Sequence, residues 1–214
     1  MAAPPAPLRR HWRRSLEFSE CCQREVQDHL EAVRRFFDRR AGDVDRTARA
    51  MAGSLAAGGK VLFFGNGGSA ADAQHLAAEL VNRMTLERRA IAAIALTTDS
   101  SILTSIANDS AFDRVFSRQV EALGRPGDVA FAITTSGNSP AILRALGCAR
   151  QMGLTTVGLL GNDGGRALPL CDHPLVVESP VTARIQEVHI LIGHLLCEEV
   201  ESLLASAPSL PAGG

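Results

Sequence analysis

Apolar residues at Val26, Leu30, Val33 and Phe37 fall three or four positions apart, the spacing that lines one face of a helix, and predict a long helix from Leu16 to Arg39. Ala41-Gly42 interrupts that pattern. A second helical stretch from Val44 to Ala57 ends at Gly58-Gly59, a pair suited to stopping a helix, so the two stretches are expected to form a helical hairpin. From Lys60 the character changes. Short apolar runs at Val61 to Phe64, Ile91 to Leu96, Val129 to Ile133, Thr156 to Leu160 and Pro174 to Val177 read as buried strands. Amphipathic segments around Ala70 to Met84, Ser101 to Ala107, Phe112 to Leu123 and Ala141 to Met152 separate them, and Arg184 to Leu204 forms a last helix. Strand and helix in strict alternation predict an α/β fold: a doubly wound, five-stranded parallel sheet flanked by helices, with an N-terminal helical hairpin. No composition shift marks a second domain, so residues 16–206 are expected to be one domain, and residues 1–15 and 207–214 disordered tails.

Composition narrows what such a domain does. A chain of 214 residues with 46% hydrophobic content can bury one good core. Its 22 basic and 23 acidic residues nearly cancel, so no broad field draws it to nucleic acid or to an acidic membrane. Five scattered cysteines (Cys21, Cys22, Cys148, Cys171, Cys197) have no zinc-ribbon or CxxC spacing and fit a reducing compartment. Met1 to Arg14 is Arg-rich but lacks the apolar core of a secretion signal, and no run has the apolar length of a membrane span. A cytoplasmic location is expected, and the Arg-rich start is read as a tail rather than an organelle-transit segment.

Open parallel sheets bind ligands beyond the carboxyl ends of their strands. Two predicted strand ends carry small, polar, Gly-containing turns that lead into helices: Gly65-Asn66-Gly67-Gly68-Ser69 and Thr134-Thr135-Ser136-Gly137-Asn138-Ser139. Amides at a helix N-terminus and the helix dipole stabilise an anion, and glycine lets the backbone approach it. The plainer reading of either turn is a helix cap, with Ser69, Asn138 or Ser139 as cap. Four hydroxyl residues in one six-residue turn exceed what a cap requires, and they suit a phosphate monoester held by neutral donors. The first turn also fits the GxGxxA dinucleotide fingerprint, with Asp99 placed for a ribose, but that reading leaves the hydroxyl-rich turn unexplained.

On the helix after the first turn, His75 and Glu79 lie four apart on one face, whereas Asp72 and Gln74 are expected to point elsewhere. The last helix carries Gln186, Glu187, His189 and His194 among apolar neighbours. Polar groups on a buried helix either close a hydrogen-bond network or face a site. Helical geometry alone does not choose the functional histidine.

Gly65-Asn66-Gly67-Gly68-Ser69, Asn108-Asp109, Thr134 to Ser139 and Arg184-Ile185-Gln186-Glu187-Val188-His189, in that order, resemble the phosphoheptose isomerases of the sugar isomerase (SIS) domain superfamily. The likeness spans roughly residues 16–204. It implies an aldose–ketose isomerase converting D-sedoheptulose 7-phosphate into D-glycero-D-manno-heptose 7-phosphate, a precursor of the heptose of lipopolysaccharide. By the same resemblance Thr134, Thr135, Ser136 and Ser139 hold phosphate, and Asn66, Gly67, Gly68, Ser69, Asn108 and Asp109, with Glu79 and Gln186, line the sugar. Glu79 and His194 are read as the catalytic pair, and His75, Glu79, Gln186 and His194 match the family's metal-binding quartet, which could instead hold zinc; the two readings do not hold together in simple form unless substrate displaces a ligand and frees Glu79. The family prefers serine where this chain has Thr134, a swap that keeps the hydroxyl. The resemblance further implies a homotetramer with sites shared between subunits. Two relatives of other function compete: a non-catalytic scaffold that binds the replication initiator protein, opposed by Glu79 and His194, and a transcriptional sensor, which would need a helix-turn-helix that the N-terminal segment does not offer.

Overall fold

The computed structural model describes residues 18–206; the expected tails, and the first positions of the first helix, lie outside the described residues. The chain runs α1 (Phe18–Ala56), β1 (Val61–Gly65), α2 (Gly68–Val81), β2 (Ala93–Ala95), α3 (Ser100–Asp109), α4 (Ser117–Leu123), β3 (Val129–Thr134), α5 (Pro140–Gln151), β4 (Thr155–Gly161), β5 (His173–Val177) and α6 (Thr182–Ser206), with 3₁₀ turns at Phe112–Arg114 and Gly165–Leu170. The five strands form one sheet in the order β2-β1-β3-β4-β5, and every pairing is parallel.

Strand periodicity divides the core in two. Val61 and Phe63 on β1, Val129, Phe131 and Ile133 on β3, and Val157 and Leu159 on β4 face α1, α2 and α6, packing with Met51, Leu76, Leu80, Val188 and Ile192. Leu62 and Phe64, Ala130 and Ala132, and Leu160 face the opposite layer, where Val120, Ile142 and Leu146 from α4 and α5 meet them. Both faces are covered, which is why each strand reads as a continuous apolar run.

The expected helical hairpin is a single helix of 39 residues, because Gly42 does not break it. One interior glycine costs a helix about 1 kcal/mol. Against that cost, Val44, Ala48 and Met51 are buried just beyond it, and Asp43 pairs with both Arg40 and Arg46. The real stop is Gly58, at φ +87°: the Gly59 amide bonds the Ser54 carbonyl at 2.9 Å and the Gly58 amide bonds Leu55 at 3.1 Å, the paired closure of a left-handed cap. The expected helix at Phe112 to Leu123 is likewise two pieces, the 3₁₀ turn and α4. Val115, Phe116 and Ser117 are consecutive and all buried, which one face of a straight helix cannot provide.

Candidate active site

The sheet order reverses between β1 and β3, since β2 lies on one side of β1 and β3, β4 and β5 on the other. A crevice opens at such a switch point, beyond the carboxyl ends of the two strands. The two Gly-containing turns flank it, because they follow β1 and β3, and Asn66 Nδ2 of the first donates to Ser139 Oγ of the second at 3.0 Å. Neither helix that starts here takes a side-chain cap: Gly67 precedes α2, and Ser139 precedes α5 without capping it. The hydroxyls of these turns are therefore not consumed as caps.

Within the second turn, Gly137 has φ +64°, and a Cβ there would run into the Gly164 carbonyl, so only glycine fits. Thr134 is buried, and its Oγ1 accepts the Gly137 amide at 3.3 Å; inside the chain this hydroxyl shapes the turn. Ser136 Oγ accepts the Asn138 amide at 3.2 Å, and Ser136 is exposed. Thr135 and Ser139 are half-buried. Pro140 opens α5 at a position where a missing N–H costs nothing, leaving the helix N-terminus pointing at the turn.

The second half of the site is built by α2 and α6, which cross where Gly193 lies against Leu76; a Cβ on Gly193 would come 2.7 Å from Leu76 Cδ2. Flanking that contact, His75 Nε2 lies 2.8 Å from His194 Nε2 and 3.3 Å from Glu79 Oε1. Only one of the two facing nitrogens can carry a hydrogen in this contact, the other presenting its lone pair. Donor atoms of His75, Glu79 and His194 all lie within 4.8 Å of one another, and all three side chains are partly open to solvent. Gln186, two turns N-terminal to His194 on α6, brings Nε2 over Gly68 so closely that a Cβ on Gly68 would collide with it. The glycine-rich turn and the amide of Gln186 thus meet where α2 and α6 begin, and the histidine–glutamate cluster lies further along the same pair of helices.

The choice between histidines follows from burial. His189 is fully buried, and its Nε2 contacts the Leu160 carbonyl at 3.0 Å; burial pushes its pKa down to about 4, with the carbonyl bond opposing. It ties α6 to the end of β4 and does not reach His75. Asp72 was expected to point away, but it lies close enough to His75 and His194 to feel both charges, with Oδ2 buried and without a hydrogen-bond partner. Burial raises its pKa, and the two histidines oppose that rise. Gln74 does turn elsewhere, toward the Thr97 carbonyl. Asn108 and Asp109 stand exposed at the end of α3, bonded to each other at 2.8 Å, and no hydrogen bond joins them to the other site residues described.

Three supports have no obvious sequence signature. Glu201, fully buried on α6, accepts the amides of Met84, Thr85 and Leu86 and the Nε of Arg88 at 2.7–3.1 Å. Arg88 in turn donates to the carbonyls of Glu79 and Leu80, both at 2.9 Å, so the end of α2 is fastened to α6. On the other side, Asn162, Arg166 and Ala167 bond to the back of the Thr134–Ser139 turn. The run Asn162-Asp163-Gly164-Gly165 is a turn signal that could have drawn attention to this segment.

Comparison with known proteins places the chain in a family. The SIS domain family matches residues 25–161. The phosphoheptose isomerase of Paramagnetospirillum magneticum is 55% identical over 199 residues, covering 90% of this chain and all of that protein. Among solved structures, phosphoheptose isomerases from Neisseria gonorrhoeae (42% identity, TM-score 0.83) and Francisella tularensis (34% identity, TM-score 0.85) each superpose on 87% of this chain over their whole length.

Proposed function

The chain belongs to the phosphoheptose isomerases of the SIS domain family, and on that premise we propose that it converts D-sedoheptulose 7-phosphate into D-glycero-D-manno-heptose 7-phosphate for heptose, and thence lipopolysaccharide, synthesis. The observation that carries this reading is the convergence of His75, Glu79 and His194 between α2 and α6, α2 being the helix opened by the turn that Asn66 joins to Ser139. A phosphate loop alone binds a ligand; this cluster adds groups that can move protons.

Thr135, Ser136 and Ser139, with the open N-terminus of α5, hold the phosphate, and Thr134 keeps their turn in shape. That remote binding positions the reacting end of the sugar against α2 and α6. Glu79 takes a proton from the first carbon. His194 gives one to the oxygen of the second, forming an enediol; Glu79 then returns its proton to the second carbon while His194 takes the hydroxyl proton from the oxygen of the first, which leaves the carbonyl on the first carbon. Asn66, Gly67, Gly68, Ser69, Asn108, Asp109 and Gln186 contact the sugar in this reading.

Zinc fits the same residues: two imidazoles and a carboxylate are ordinary zinc ligands, their donor atoms cluster within 4.8 Å, and the buried, unpartnered oxygen of Asp72 adds negative charge beside them. His75, Glu79 and His194 would hold the ion, with the Gln186 carbonyl as a weaker fourth ligand; a Glu79 bound in this way is not free to act as base, so substrate would have to displace it from the ion before proton transfer. When bound, zinc would polarise the sugar carbonyl as a Lewis acid. The active form is a homotetramer with shared sites, supported by the exposed apolar Phe18, Val26 and Leu30 on α1, and its location is cytoplasmic, in keeping with the absence among the described residues of a helix long and apolar enough to cross a membrane.

The test is incubation with sedoheptulose 7-phosphate and detection of the aldose product. No turnover by the folded, zinc-loaded protein would overturn the assignment. Glu79→Gln is expected to abolish turnover while leaving phosphate-ester binding largely intact.

A further inference from the structure

Among the described residues, Asn162 is the one non-glycine residue with positive φ, at +56°. It stands immediately after β4, in the turn closed by the Gly164 amide on the Gly161 carbonyl at 2.9 Å. Glycine takes this backbone conformation without strain and asparagine with little, so the turn by itself does not call for a side chain. The side chain nevertheless has a specific partner outside its own turn: Nδ2 donates to the carbonyl of Thr135 at 3.0 Å.

That carbonyl belongs to the peptide whose other end is the amide of Ser136. In a trans peptide the C=O and N–H point in opposite directions. Drawing the Thr135 oxygen toward Asn162 therefore turns the Ser136 N–H away from the β4 side and toward the β1 side, where the crevice between the two turns opens. The Ser136 N–H has no acceptor among the described residues. The neighbouring backbone is held from the same side, by the Ala167 amide on the Gly137 carbonyl at 2.9 Å and the Arg166 amide on Asn138 Oδ1 at 3.1 Å. Asn138 Nδ2 also bonds the Ser136 carbonyl at 2.8 Å. The three contacts from 162–167 leave the Thr135 peptide with a single anchor, the Asn162 amide. Close packing prevents a substitute from sliding in, because a Cβ at Gly161 would strike the Thr135 oxygen and the side chain of Ile185.

We propose that Asn162 is a positioning residue for the reaction: its side-chain amide fixes the Thr135–Ser136 peptide so that the Ser136 N–H is aimed at the substrate's phosphate. This rests on the reading of Thr134 to Ser139 as the phosphate turn. Asn162 does not itself touch the substrate; it sets the orientation of a donor that reaches the phosphate, so its effect falls on phosphate affinity and not on proton transfer.

Asn162→Gly isolates the role, since glycine keeps the left-handed turn and removes only the amide. The zinc-loaded enzyme is assayed for kcat and KM with sedoheptulose 7-phosphate, for competitive inhibition by inorganic phosphate, and for Tm. The expected result is a KM and a phosphate inhibition constant that rise together by about tenfold, the effect of one lost hydrogen bond, with kcat and Tm changing little. Asn162→Asp, which sets a carboxylate against the Thr135 carbonyl, should raise both constants further. An unaltered KM and inhibition constant in Asn162→Gly, or a fall in kcat and Tm with the two constants unmoved, would overturn the proposal. Thr135→Ala and Ser139→Ala separate it from the premise: if they weaken phosphate inhibition and Asn162→Gly does not, only the role of Asn162 fails, whereas a wild-type enzyme indifferent to phosphate removes the phosphate turn itself.

Discussion

Asp72 concentrates charge where the reaction is placed. Its Oδ2 is buried and unpaired, and it feels both His75 and His194. A buried carboxylate oxygen left without a partner costs stability unless something positive sits near it, and a cation held by the two histidines would supply that. Asp72→Asn keeps the shape and removes the charge. It is expected to weaken zinc binding by about tenfold, within the range seen for groups that support metal ligands, as measured by competition with a chelator. The residues of the two turns were legible in the sequence because each turn is contiguous and its chemistry lies in neighbouring side chains. Asp72 was not: it sits one helical turn before His75, and whether it faces the cluster depends on where α6 lies. The same holds for His194, which is 119 positions from the histidine it meets. Only tertiary packing distinguishes it from His189, whose ring the core consumes.

At the scale of elements, the site is a property of the α2–α6 pair. Gly193 sets how closely the helices approach, because a side chain there meets Leu76 one residue from His75. In isolation, Gly193→Ala would favour the helix by about 1 kcal/mol. In this packing the methyl must shift the buried end of Leu76, the residue next to His75, so turnover is expected to fall while helix content by circular dichroism is retained; unchanged turnover would show that the crossing does not control the site. The other end of the pair is held by Glu201 and Arg88. Removing one partner of a buried, hydrogen-bonded pair typically costs about 3–5 kcal/mol, and Glu201→Ala should lower the denaturant midpoint accordingly. The strands of this layout were readable because apolar runs covered on both faces leave a continuous signal. The helical hairpin was misread because Gly42 looks like a stop locally, whereas the burial of Val44, Ala48 and Met51 beyond it decides in favour of continuation.

At the scale of the whole molecule, two buried groups make stability depend on pH in separate windows. The pKa of His189 is about 4 against an ordinary 6.5, because burial disfavours its charged form more than the Leu160 carbonyl favours it. Between pH 6.5 and 4 the unfolded chain therefore takes up a proton that the native chain refuses, and stability falls as pH falls, by about 1.4 kcal/mol per unit well inside that window. Glu201 behaves differently. Burial would raise its pKa, but the amides of Thr85, Met84 and Leu86 outweigh burial and bring it to about 2 from 4.5. Its contribution is complete above pH 4.5 and is lost as the pH falls through about 2. The two groups sit on the same helix, one fastening α6 to β4 and the other fastening it to the end of α2, so acid loosens first the sheet side and then the α2 side. Thermal melts of wild type and His189→Leu between pH 7.5 and 4 separate these contributions. Wild type should lose Tm steadily below pH 6.5, and the variant, with no imidazole at this position, should show a shallower fall over the same interval. Parallel curves would mean that His189 does not carry the dependence. A narrowing gap between the curves is the expected sign, since the cost of keeping His189 neutral is paid only by wild type and grows toward pH 4.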